Sequence, residues 1–240
     1  MSEVVLVTGA SSGIGAATAR RLAADGYRVV LAARSEGRLD RVREDLPTDA
    51  LAVPTDVTDL DAVAGLVDAT LDRFGRLDGV VVNAGTGEQP DVPLSELSLD
   101  QFEQVTDVNV KGAFYTVRAA LPAIRERSGA VVFLGSYKGK YPSTATPIYA
   151  ASKWWLRGFA ASLAGRVGPE GVQVGVVNPS GVPTAFGGEF REQSNDDRLD
   201  PDAELSVEDV ADAVAYVLSN ASPAAVTELD LFREDIYERF

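Results

Sequence analysis

The chain has 240 residues, 45% of them hydrophobic, which is enough for a full core and typical of one domain. It contains no cysteine and no histidine, which excludes disulfides, thiolate catalysis and histidine catalysis, and no metal site is expected. A formal net charge of −14 argues against nucleic acid and anionic membranes as partners, because both bind basic surfaces. The N-terminus lacks a signal-peptide pattern and no apolar run reaches the length of a membrane span, so we expect a cytoplasmic protein.

Strand-like and helix-like segments alternate through the first third of the chain. Short apolar, β-branched runs predict strands, and apolar residues at helical spacing predict the helices between them. The predicted strands are Val4–Thr8, Arg28–Ala33 and Ala50–Pro54, and the predicted helices are Ala16–Asp25, Glu36–Leu46 and Asp59–Phe74. This order is typical of parallel strands joined by crossover helices.

The same alternation continues to the end of the chain. Further strands are predicted at Gly79–Val82, Ala130–Leu134, Val172–Val177 and Ala225–Phe232, and further helices at about Leu99–Arg127, Ile148–Val167 and Val207–Leu218. The strands beginning at Gly79 and Ala130 are apolar on both faces, which fits a sheet covered by helices on both sides. We predict an α/β fold, a Rossmann-type doubly wound parallel sheet of about seven strands with helices on both faces, in a single domain over residues 1–240.

A polar, charged stretch separates the sixth strand from the last helix. Residues 185–202 are too many for a simple connection, and long loops at the carboxyl edge of such a sheet usually cover ligands. We therefore predict a substrate lid at about residues 185–205. Phe186 and Phe190 would supply apolar cover or anchor a helix of the lid.

A glycine-rich turn joins the first strand to the first helix. Its sequence is Thr8-Gly9-Ala10-Ser11-Ser12-Gly13-Ile14-Gly15. Gly9 allows a tight turn, Gly13 lets a pyrophosphate approach the backbone, and Gly15 lets the helix pack on the strand. The free N–H groups at the start of the helix complete a phosphate-binding site.

The spacing G-x-x-x-G-x-G resembles the short-chain dehydrogenase/reductase (SDR) family, in its shorter single-domain branch. The resemblance extends over essentially the whole chain through Asp56-Val57, Asn83-Ala84-Gly85, Asn109 in N-V-K-G, Ser136, Tyr149-x-x-x-Lys153 and Asn178-Pro179. It implies an NAD(P)-dependent oxidoreductase that acts on a small carbonyl or alcohol. The catalytic residues that it implies are Asn109, Ser136, Tyr149 and Lys153. The cofactor-binding residues that it implies are Gly9, Ser11, Ser12, Gly13, Ile14, Gly15, Arg34, Asp56, Val57, Asn83, Ala84, Gly85, Tyr149, Lys153, Pro179, Val182 and Thr184.

The chemistry of Tyr149 also follows from its neighbours. Tyr149 and Lys153 lie four residues apart on a predicted helix, where an ammonium stabilises phenolate and lowers the pKa of the phenol. Tyr149 would then act as general acid and base, and Ser136 would donate to the substrate oxygen. In the family, the asparagine holds a water that links the lysine to solvent, and the lysine binds the nicotinamide ribose; the resemblance transfers these roles to Asn109 and Lys153.

Each of these residues also has an ordinary structural interpretation when it is taken alone. A Tyr-x-x-x-Lys pair is commonly a pair on a helix surface, and serine and asparagine commonly occupy turns and caps. These alternatives apply to Tyr149 with Lys153, Ser136, Asn83, Asn109 and Asp56, the last as a cap near Val57-Thr58-Asp59. The occurrence of all of them in order favours the functional interpretation.

The end of the second strand indicates the cofactor. An acidic residue there would bind the adenosine ribose and repel a 2′-phosphate, but the strand is followed by Arg34-Ser35. This pair resembles the family members that bind NADP through an arginine and a small hydroxyl residue. NADP is therefore predicted over NAD, although Arg34 could instead be a solvated start of the next helix.

Several residues of the predicted pocket depart from the family pattern. Ser180 stands where a glycine usually lines the nicotinamide side, and it would narrow that space or add a donor. Lys138 and Tyr141 follow Ser136 closely, and such residues usually face solvent. If either points inward, an anionic or hydroxylated substrate would be favoured over a plain hydrocarbon ketone.

Trp154 and Trp155 follow Lys153 and are expected to pack. In the family, the outer face of this helix commonly forms a subunit interface, and the last strand often forms a second one, so a homodimer or homotetramer is expected.

Two other functions compete with the reductase. A nucleotide-sugar epimerase or dehydratase would need a larger C-terminal domain, and a nonenzymatic NADP-binding sensor would not need the full catalytic set.

Overall fold

A computed structural model describes residues 2–187, 193–219 and 224–236. Its strands are β1 (Val4–Thr8), β2 (Arg28–Ala33), β3 (Ala50–Pro54), β4 (Gly79–Val82), β5 (Ala130–Leu134), β6 (Gln173–Pro179) and β7 (Glu228–Leu231). Its α-helices are α1 (Gly13–Ala24), α2 (Glu36–Glu44), α3 (Leu60–Phe74), α4 (Leu99–Thr106), α5 (Ala113–Glu126), α6 (Pro147–Val167), α7 (Asn195–Arg198) and α8 (Val207–Leu218).

The strands form one parallel sheet in the order β3-β2-β1-β4-β5-β6-β7. This confirms the predicted doubly wound sheet. The order reverses direction between β1 and β4, and the carboxyl ends of strands at such a point diverge to leave a crevice where ligands bind. The sheet therefore places the ends of β1 and β4 at the centre of the candidate site.

Helices cover both faces of the sheet because the side chains of its central strands are buried on both. One cluster of buried residues includes Leu6, Phe133 and Ile124. The cluster on the other face includes Val7, Leu22 and Val214. Within the described ranges, no helix is both long enough and apolar enough to cross a bilayer.

Two boundaries differ from the sequence prediction in ways that concern the site. The first helix begins at Gly13 instead of Ala16, so the glycine-rich turn runs directly into its first turn. The long helix predicted at Leu99–Arg127 is interrupted by a π segment, Asp107–Gly112, between α4 and α5. A π segment inserts a wider turn and is frequent at functional sites.

The predicted lid is partly described. Its short helix α7 begins with a capping box formed by Ser194 and Asp197. The backbone N–H groups of Asn195 and Asp196 donate to the carbonyl oxygens of Phe186 and Thr184, at 3.1 and 2.9 Å. These bonds hold α7 beside the segment that follows β6. Phe190 lies outside the described residues.

Candidate active site

Close packing shapes the glycine-rich turn after β1. Gly9 and Gly13 have φ angles of +67° and +52°, which side chains rarely adopt. A Cβ atom on Gly15 would lie 2.3 Å from the carbonyl oxygen of Gly9, so a side chain there would push α1 away from the turn. The N-cap residue Ser12 makes no side-chain capping bond, and the first turn of α1 carries no acidic residue. This end of α1 is therefore suited to an anion.

Asn83 ties the end of β4 to the same turn. Its Nδ2 donates to the carbonyl oxygens of Thr8 and Gly9, at 2.8 and 3.2 Å. The Thr8 hydroxyl accepts in return from the backbone N–H groups of Asn83 and Ala84, at 3.0 and 3.1 Å. Asn83 therefore stabilises the glycine-rich turn, as its structural interpretation expects, and it also lines the cleft.

Two arginines line the cleft beyond β2. Arg34 is exposed directly after the strand, and Arg38 is exposed four residues later on α2. Ser35, the N-cap residue of α2, also lines the cleft and makes no side-chain capping bond. The sequence prediction named Arg34 but missed Arg38. Its position near the start of a predicted helix, one turn after Arg34, was a signal that could have found it.

Asp56 stands in a turn after β3, at the wall of the cleft. Its Oδ1 accepts from the N–H and the hydroxyl of Thr58, at 2.9 and 2.8 Å, and so forms a local turn. Asp56 and Val57 also line the cleft. Val57 is held from behind by the π segment, since a Cβ on Gly112 would lie 2.8 Å from its Cγ2.

Tyr149 and Lys153 lie one turn apart on α6 and line the cleft together with Ser136. Lys153 Nζ donates to the Leu134 carbonyl oxygen at 2.8 Å and lies 5.7 Å from the centroid of the Tyr149 ring. Lys153 is only 5% exposed, and its burial lowers the pKa of the ammonium to about 8 because the charged form loses hydration. A buried lysine with a perturbed pKa in a cleft indicates a functional site.

Ser136 caps the short 3₁₀ turn that follows β5. Its hydroxyl oxygen accepts from the N–H of Lys138 at 3.2 Å. Because a hydroxyl that accepts this bond keeps its own proton, Ser136 can still donate toward the cleft. Because Ser136 lines the cleft, this proton is available to an oxygen of a bound molecule.

Asn109 is the one predicted catalytic residue that does not line the cleft. It is 1% exposed in the π segment, where its Oδ1 accepts from the N–H of Thr86 and its Nδ2 donates to the Thr86 carbonyl oxygen and to Ser152 Oγ, each at 2.9 Å. A Cβ on Gly85 would lie 3.4 Å from Asn109 Oδ1 and 3.7 Å from Lys153 Nζ. Gly85 therefore keeps open the space between these two polar atoms.

One cleft of about 990 Å³ collects these features at the switch point of the sheet. Every predicted cofactor-binding residue lines it, as do Ser136, Tyr149 and Lys153. The start of α1, the two arginines after β2 and the tyrosine–lysine pair of α6 therefore all line the same cleft. It is large enough for an extended ligand and a small second molecule.

The sequence profile of the family described as short chain dehydrogenase matches residues 3–195 of the chain. The chain belongs to the short chain dehydrogenase family. An uncharacterized oxidoreductase of Staphylococcus epidermidis is 32% identical over 232 residues, which cover 95% of this chain and 96% of that protein.

Two solved structures show the same architecture. An alcohol dehydrogenase from the archaeon Thermococcus sibiricus, complexed with 5-hydroxy-NADP, superposes with a TM-score of 0.85 at 30% identity, over 96% of each chain. A 3-ketoacyl-(acyl-carrier-protein) reductase from Brucella melitensis, complexed with NADH, gives 0.87 at 29% identity, again over 96% of each chain. These similarities place the chain in the family along almost its full length.

The sequence prediction missed a buried carboxylate that contacts the start of α6 in this short chain dehydrogenase. Glu88 is 1% exposed, and its two oxygens accept from the N–H groups of Ile148 and Tyr149, at 2.8 and 2.5 Å. It therefore compensates the positive end of α6 and fixes the turn that carries Tyr149. Nothing in the local sequence indicated this, because Glu88 and Tyr149 lie 61 residues apart.

The two lysines after Ser136 point in different directions. Lys138 lines the cleft, with its Nζ 2.8 Å from Thr146 Oγ1 and 6.0 Å from the centroid of the Tyr149 ring. Lys140 Nζ instead pairs with Asp230 at 2.6 Å, on β7. Tyr141 packs against Phe232, with ring centroids 6.3 Å apart. The inward-pointing side chain is therefore that of Lys138.

The segment after β6 lies beside Tyr149. The rings of Phe186 and Tyr149 lie 5.5 Å apart, so an apolar ring stands next to Tyr149 at the wall of the cleft. Thr184 Cγ2 lies 3.2 Å from where a Cβ on Gly13 would be, which places the start of the lid against the glycine-rich turn. Ser180 Oγ accepts from the N–H of Arg233 at 3.1 Å, so its hydroxyl is tied to the C-terminal segment.

Proposed function

We propose that the protein is an NADP-dependent oxidoreductase that transfers hydride between the nicotinamide and a carbonyl or secondary alcohol. The observation that carries this proposal is the convergence of Tyr149, Lys153 and Ser136 with the glycine-rich turn in one cleft. Family membership and the cofactors bound by the two solved relatives support it. The small carbonyl or alcohol is the partner that this chemistry requires.

The residues of the cleft fit a nicotinamide dinucleotide. The start of α1 packs closely on the Gly9 carbonyl and on Asn83 Nδ2, and a pyrophosphate beside it would accept from the N–H groups of its first turn. Thr184 and Val182 line the cleft on the other side, where the carboxamide and nicotinamide ring would lie. When bound, the cofactor supplies or accepts the hydride.

Tyr149 moves the proton in this proposal. In the reductive direction its hydroxyl donates to the carbonyl oxygen while that oxygen gains charge, and Ser136 donates a second hydrogen bond to the same oxygen. The Lys153 ammonium stabilises the phenolate that results and would bind the ribose. Asn109 would hold a water beside Gly85 that returns the proton from solvent to Lys153.

Substitution of Tyr149 tests the mechanism. The variant Tyr149→Phe is expected to lose about 10²–10⁴-fold in kcat against a panel of ketones and aldehydes with NADPH, while the Kd for NADPH stays within about threefold. Tyr141→Phe is the matched control, because Tyr141 packs on Phe232. Wild-type turnover by Tyr149→Phe would disprove the mechanism. Tight NADPH binding without turnover of any substrate by wild type would favour the sensor instead.

The preference for NADP rests on Arg34, Arg38 and Ser35, which line the cleft after β2. Two guanidinium groups and a hydroxyl are suited to a 2′-phosphate. Arg34→Ala is expected to lower kcat/KM with NADPH by about 10–100-fold and to leave NADH nearly unchanged. Arg41→Ala, on the same helix but outside the cleft, is the control. Equal or better efficiency of the wild type with NADH would refute the preference.

We also propose that the protein is a cytoplasmic homodimer or homotetramer. Trp154 and Trp155 are 45% and 37% exposed, so they do not pack inside the chain as fully as expected. With Phe114, which is 42% exposed, they form an aromatic face on α5 and α6 suited to a second copy. Light scattering of the purified protein, compared with Trp154→Ser, tests this state, and a monomeric wild type would refute it.

A further inference from the structure

The first turn of α6 receives no capping bond from its own residues' side chains. The N-cap residue Thr146 makes no side-chain capping bond, and the first turn carries no acidic residue. Pro147 begins the helix and has no N–H, and the N–H of Ala150 donates to the Thr146 carbonyl oxygen at 3.1 Å. The N–H groups of Ile148 and Tyr149 are therefore the donors of this turn that need an acceptor from elsewhere in the fold.

Glu88 supplies an acceptor for both of these donors. Its two carboxylate oxygens accept from the N–H of Ile148 at 2.8 Å and from the N–H of Tyr149 at 2.5 Å, and its burial excludes competing water. By contrast, α3, α4 and α8 each begin with an N-cap side chain that accepts from the same helix, namely Asp59, Ser98 and Ser206. The helix that carries Tyr149 and Lys153 is thus capped by a residue that precedes Ile148 by 60 positions.

The loop that carries Glu88 is itself attached to two neighbouring elements. The N–H and the carbonyl oxygen of Thr86 bond the buried Asn109 side chain of the π segment, each at 2.9 Å. The N–H of Gln89 donates to Gln101 Oε1 on α4 at 2.8 Å. Bonds on both sides of Glu88 therefore fix the backbone from which its carboxylate reaches α6, so the loop after β4 determines where the first turn of α6 lies.

We infer that Glu88 is a positioning residue for the reaction, whose carboxylate sets both the place and the charge environment of the Tyr149 hydroxyl. This inference rests on the function proposed above. Proton transfer needs the phenol within hydrogen-bond distance of the substrate oxygen, and a displacement of about 1 Å can lower the rate by about 10²-fold. Because Glu88 holds the backbone N–H of Tyr149, it acts on the reaction through that residue.

The charge of Glu88 also acts on the proton of Tyr149. A carboxylate beside the first turn of α6 opposes the positive end of the helix and disfavours phenolate, so it raises the pKa of the phenol relative to a neutral group in the same place. Lys153 on α6 and Lys138 on the 3₁₀ turn act in the opposite direction, with Nζ atoms 5.7 and 6.0 Å from the ring centroid.

Other ionisable side chains contribute to the same field. They line the cleft on neighbouring elements and are Tyr137 on the 3₁₀ turn, Asp91 after β4, Asp100 and Glu103 on α4, Asp107 in the π segment and Arg198 on α7. All of these groups are unchanged when only Glu88 is replaced. A comparison of Glu88 variants with wild type therefore isolates the effect of this one carboxylate on Tyr149.

Two variants of Glu88 separate its charge from its positioning role. Glu88→Gln removes the charge and leaves one acceptor oxygen, whereas Glu88→Asp keeps the charge but is one methylene shorter and no longer reaches both N–H groups. Asp59→Asn, which changes the carboxylate that caps α3, is the matched control. Urea denaturation measures how much each cap contributes to stability, and the comparisons below are made at denaturant-free conditions where each protein is folded.

The protonation of Tyr149 is measured without any substrate. The ultraviolet absorbance of tyrosinate is titrated in each protein with bound NADP⁺, and the titration of the same protein carrying Tyr149→Phe is subtracted. We expect the pKa of the phenol to fall in Glu88→Gln, with an acid dissociation constant about tenfold larger than in wild type. In Glu88→Asp and Asp59→Asn this constant should change by less than about threefold.

Turnover measures the positioning role. With NADPH and the panel of ketones and aldehydes used for Tyr149→Phe, both Glu88 variants are expected to lose about 10–100-fold in kcat at pH 7, while the Kd for NADPH stays within about threefold. Asp59→Asn should keep wild-type values of both. Full turnover by Glu88→Gln, or a phenol no more acidic in that variant than in wild type, would overturn the inference and leave Glu88 as a helix cap alone.

The failure of this inference is distinguishable from that of the proposed function. If wild type reduces carbonyls through Tyr149 and the Glu88 variants match it, the oxidoreductase stands and only the role of Glu88 falls. If wild type binds NADPH but reduces no carbonyl, the proposed function falls, whereas the titration of tyrosinate still decides whether Glu88 controls the proton of Tyr149.

Discussion

A charged side chain is buried at each end of the parallel strands, here called the amino edge and the carboxyl edge of the sheet. The two charges differ in the groups that surround them. At the amino edge, Asp78 precedes β4 and is 10% exposed, and it accepts from the N–H of Val4 at 2.9 Å and from Arg76 Nε at 2.7 Å. Burial alone would raise the pKa of Asp78, but the bonds from Arg76 and Val4 hold it below its ordinary value. At the carboxyl edge, Lys153 is buried beside the neutral carbonyl of Leu134, and its pKa falls.

The Asp78 carboxylate therefore stabilises the fold, whereas the Lys153 ammonium destabilises it. The Asp78 carboxylate has cationic and backbone donors, so its ionisation adds to stability. The Lys153 ammonium loses hydration, and among the described residues no carboxylate pairs with it to offset the loss. Such a group is kept where a ligand or a reaction requires it. With Lys153 acting as proposed, the carboxyl edge is the edge at which function lowers stability.

The largest predicted effect concerns the amino edge. Asp78→Asn is expected to lower the free energy of unfolding by about 2–4 kcal/mol at pH 7, because Arg76, whose side chain is 13% exposed, loses the carboxylate of this ion pair. The pKa of Asp78 is depressed in the folded state, so its contribution is present above the unfolded value of about 3.9 and is lost as pH falls through the folded value.

Urea denaturation of wild type and Asp78→Asn between pH 7 and pH 3 measures this effect. The difference between the two proteins should be largest at neutral pH and shrink in acid. A variant as stable as wild type at pH 7 would show that the cluster around Asp78 contributes nothing to the fold.

A smaller effect of opposite sign is predicted at the carboxyl edge. Lys153→Met is expected to raise the free energy of unfolding of the cofactor-free protein by about 1–3 kcal/mol at pH 7, because it removes a buried ammonium. The unfolded chain holds this proton up to about pH 10.4, whereas the folded protein releases it near pH 8, so the cost to wild type disappears as pH rises between these values.

Urea denaturation at pH 7 and pH 9.5 separates this from a packing effect. The advantage of Lys153→Met should be clear at pH 7 and much smaller at pH 9.5, although the variant is expected to have lost activity. If the variant is less stable than wild type at pH 7, the favourable interactions of the Lys153 ammonium exceed the free-energy cost of its burial. The claim that the carboxyl edge contains a destabilising charge would then be wrong.

The smallest effect is predicted for an exposed ion pair at the amino edge, where Asp49 precedes β3. Asp49 accepts from Arg73 Nη2 at 2.9 and 2.7 Å, but the two side chains are 48% and 53% exposed. Asp49→Asn should therefore change the free energy of unfolding by less than about 0.5 kcal/mol, and less still in high salt. A loss equal to that of Asp78→Asn would show that burial does not distinguish the two pairs.

The sequence predicted the parts of the fold that depend on local patterns. The first five strands lie where β-branched runs predicted them, and the glycine-rich turn follows β1, because side-chain period and glycine conformation are local properties. Glu88 and Arg38 were missed. Glu88 reaches α6 across a long loop, and only tertiary packing brings a carboxylate to that helix end. The burial of Asn109 was missed because it depends on the π segment.

The π segment has a consequence for how this chain can vary in length. A π segment holds about one residue more per turn than an α-helix, so removing one residue between Asp107 and Gly112 would convert it into an ordinary α-helical turn and remove the wider turn that carries Asn109. Inserting one residue would instead rotate α4 relative to α5 by about 100°, and either Asn109 would leave Thr86 or the buried side chains of α5 would leave the sheet. We expect insertions and deletions to be tolerated in the lid and rejected between Leu99 and Glu126, which a library of single-residue deletions would reveal.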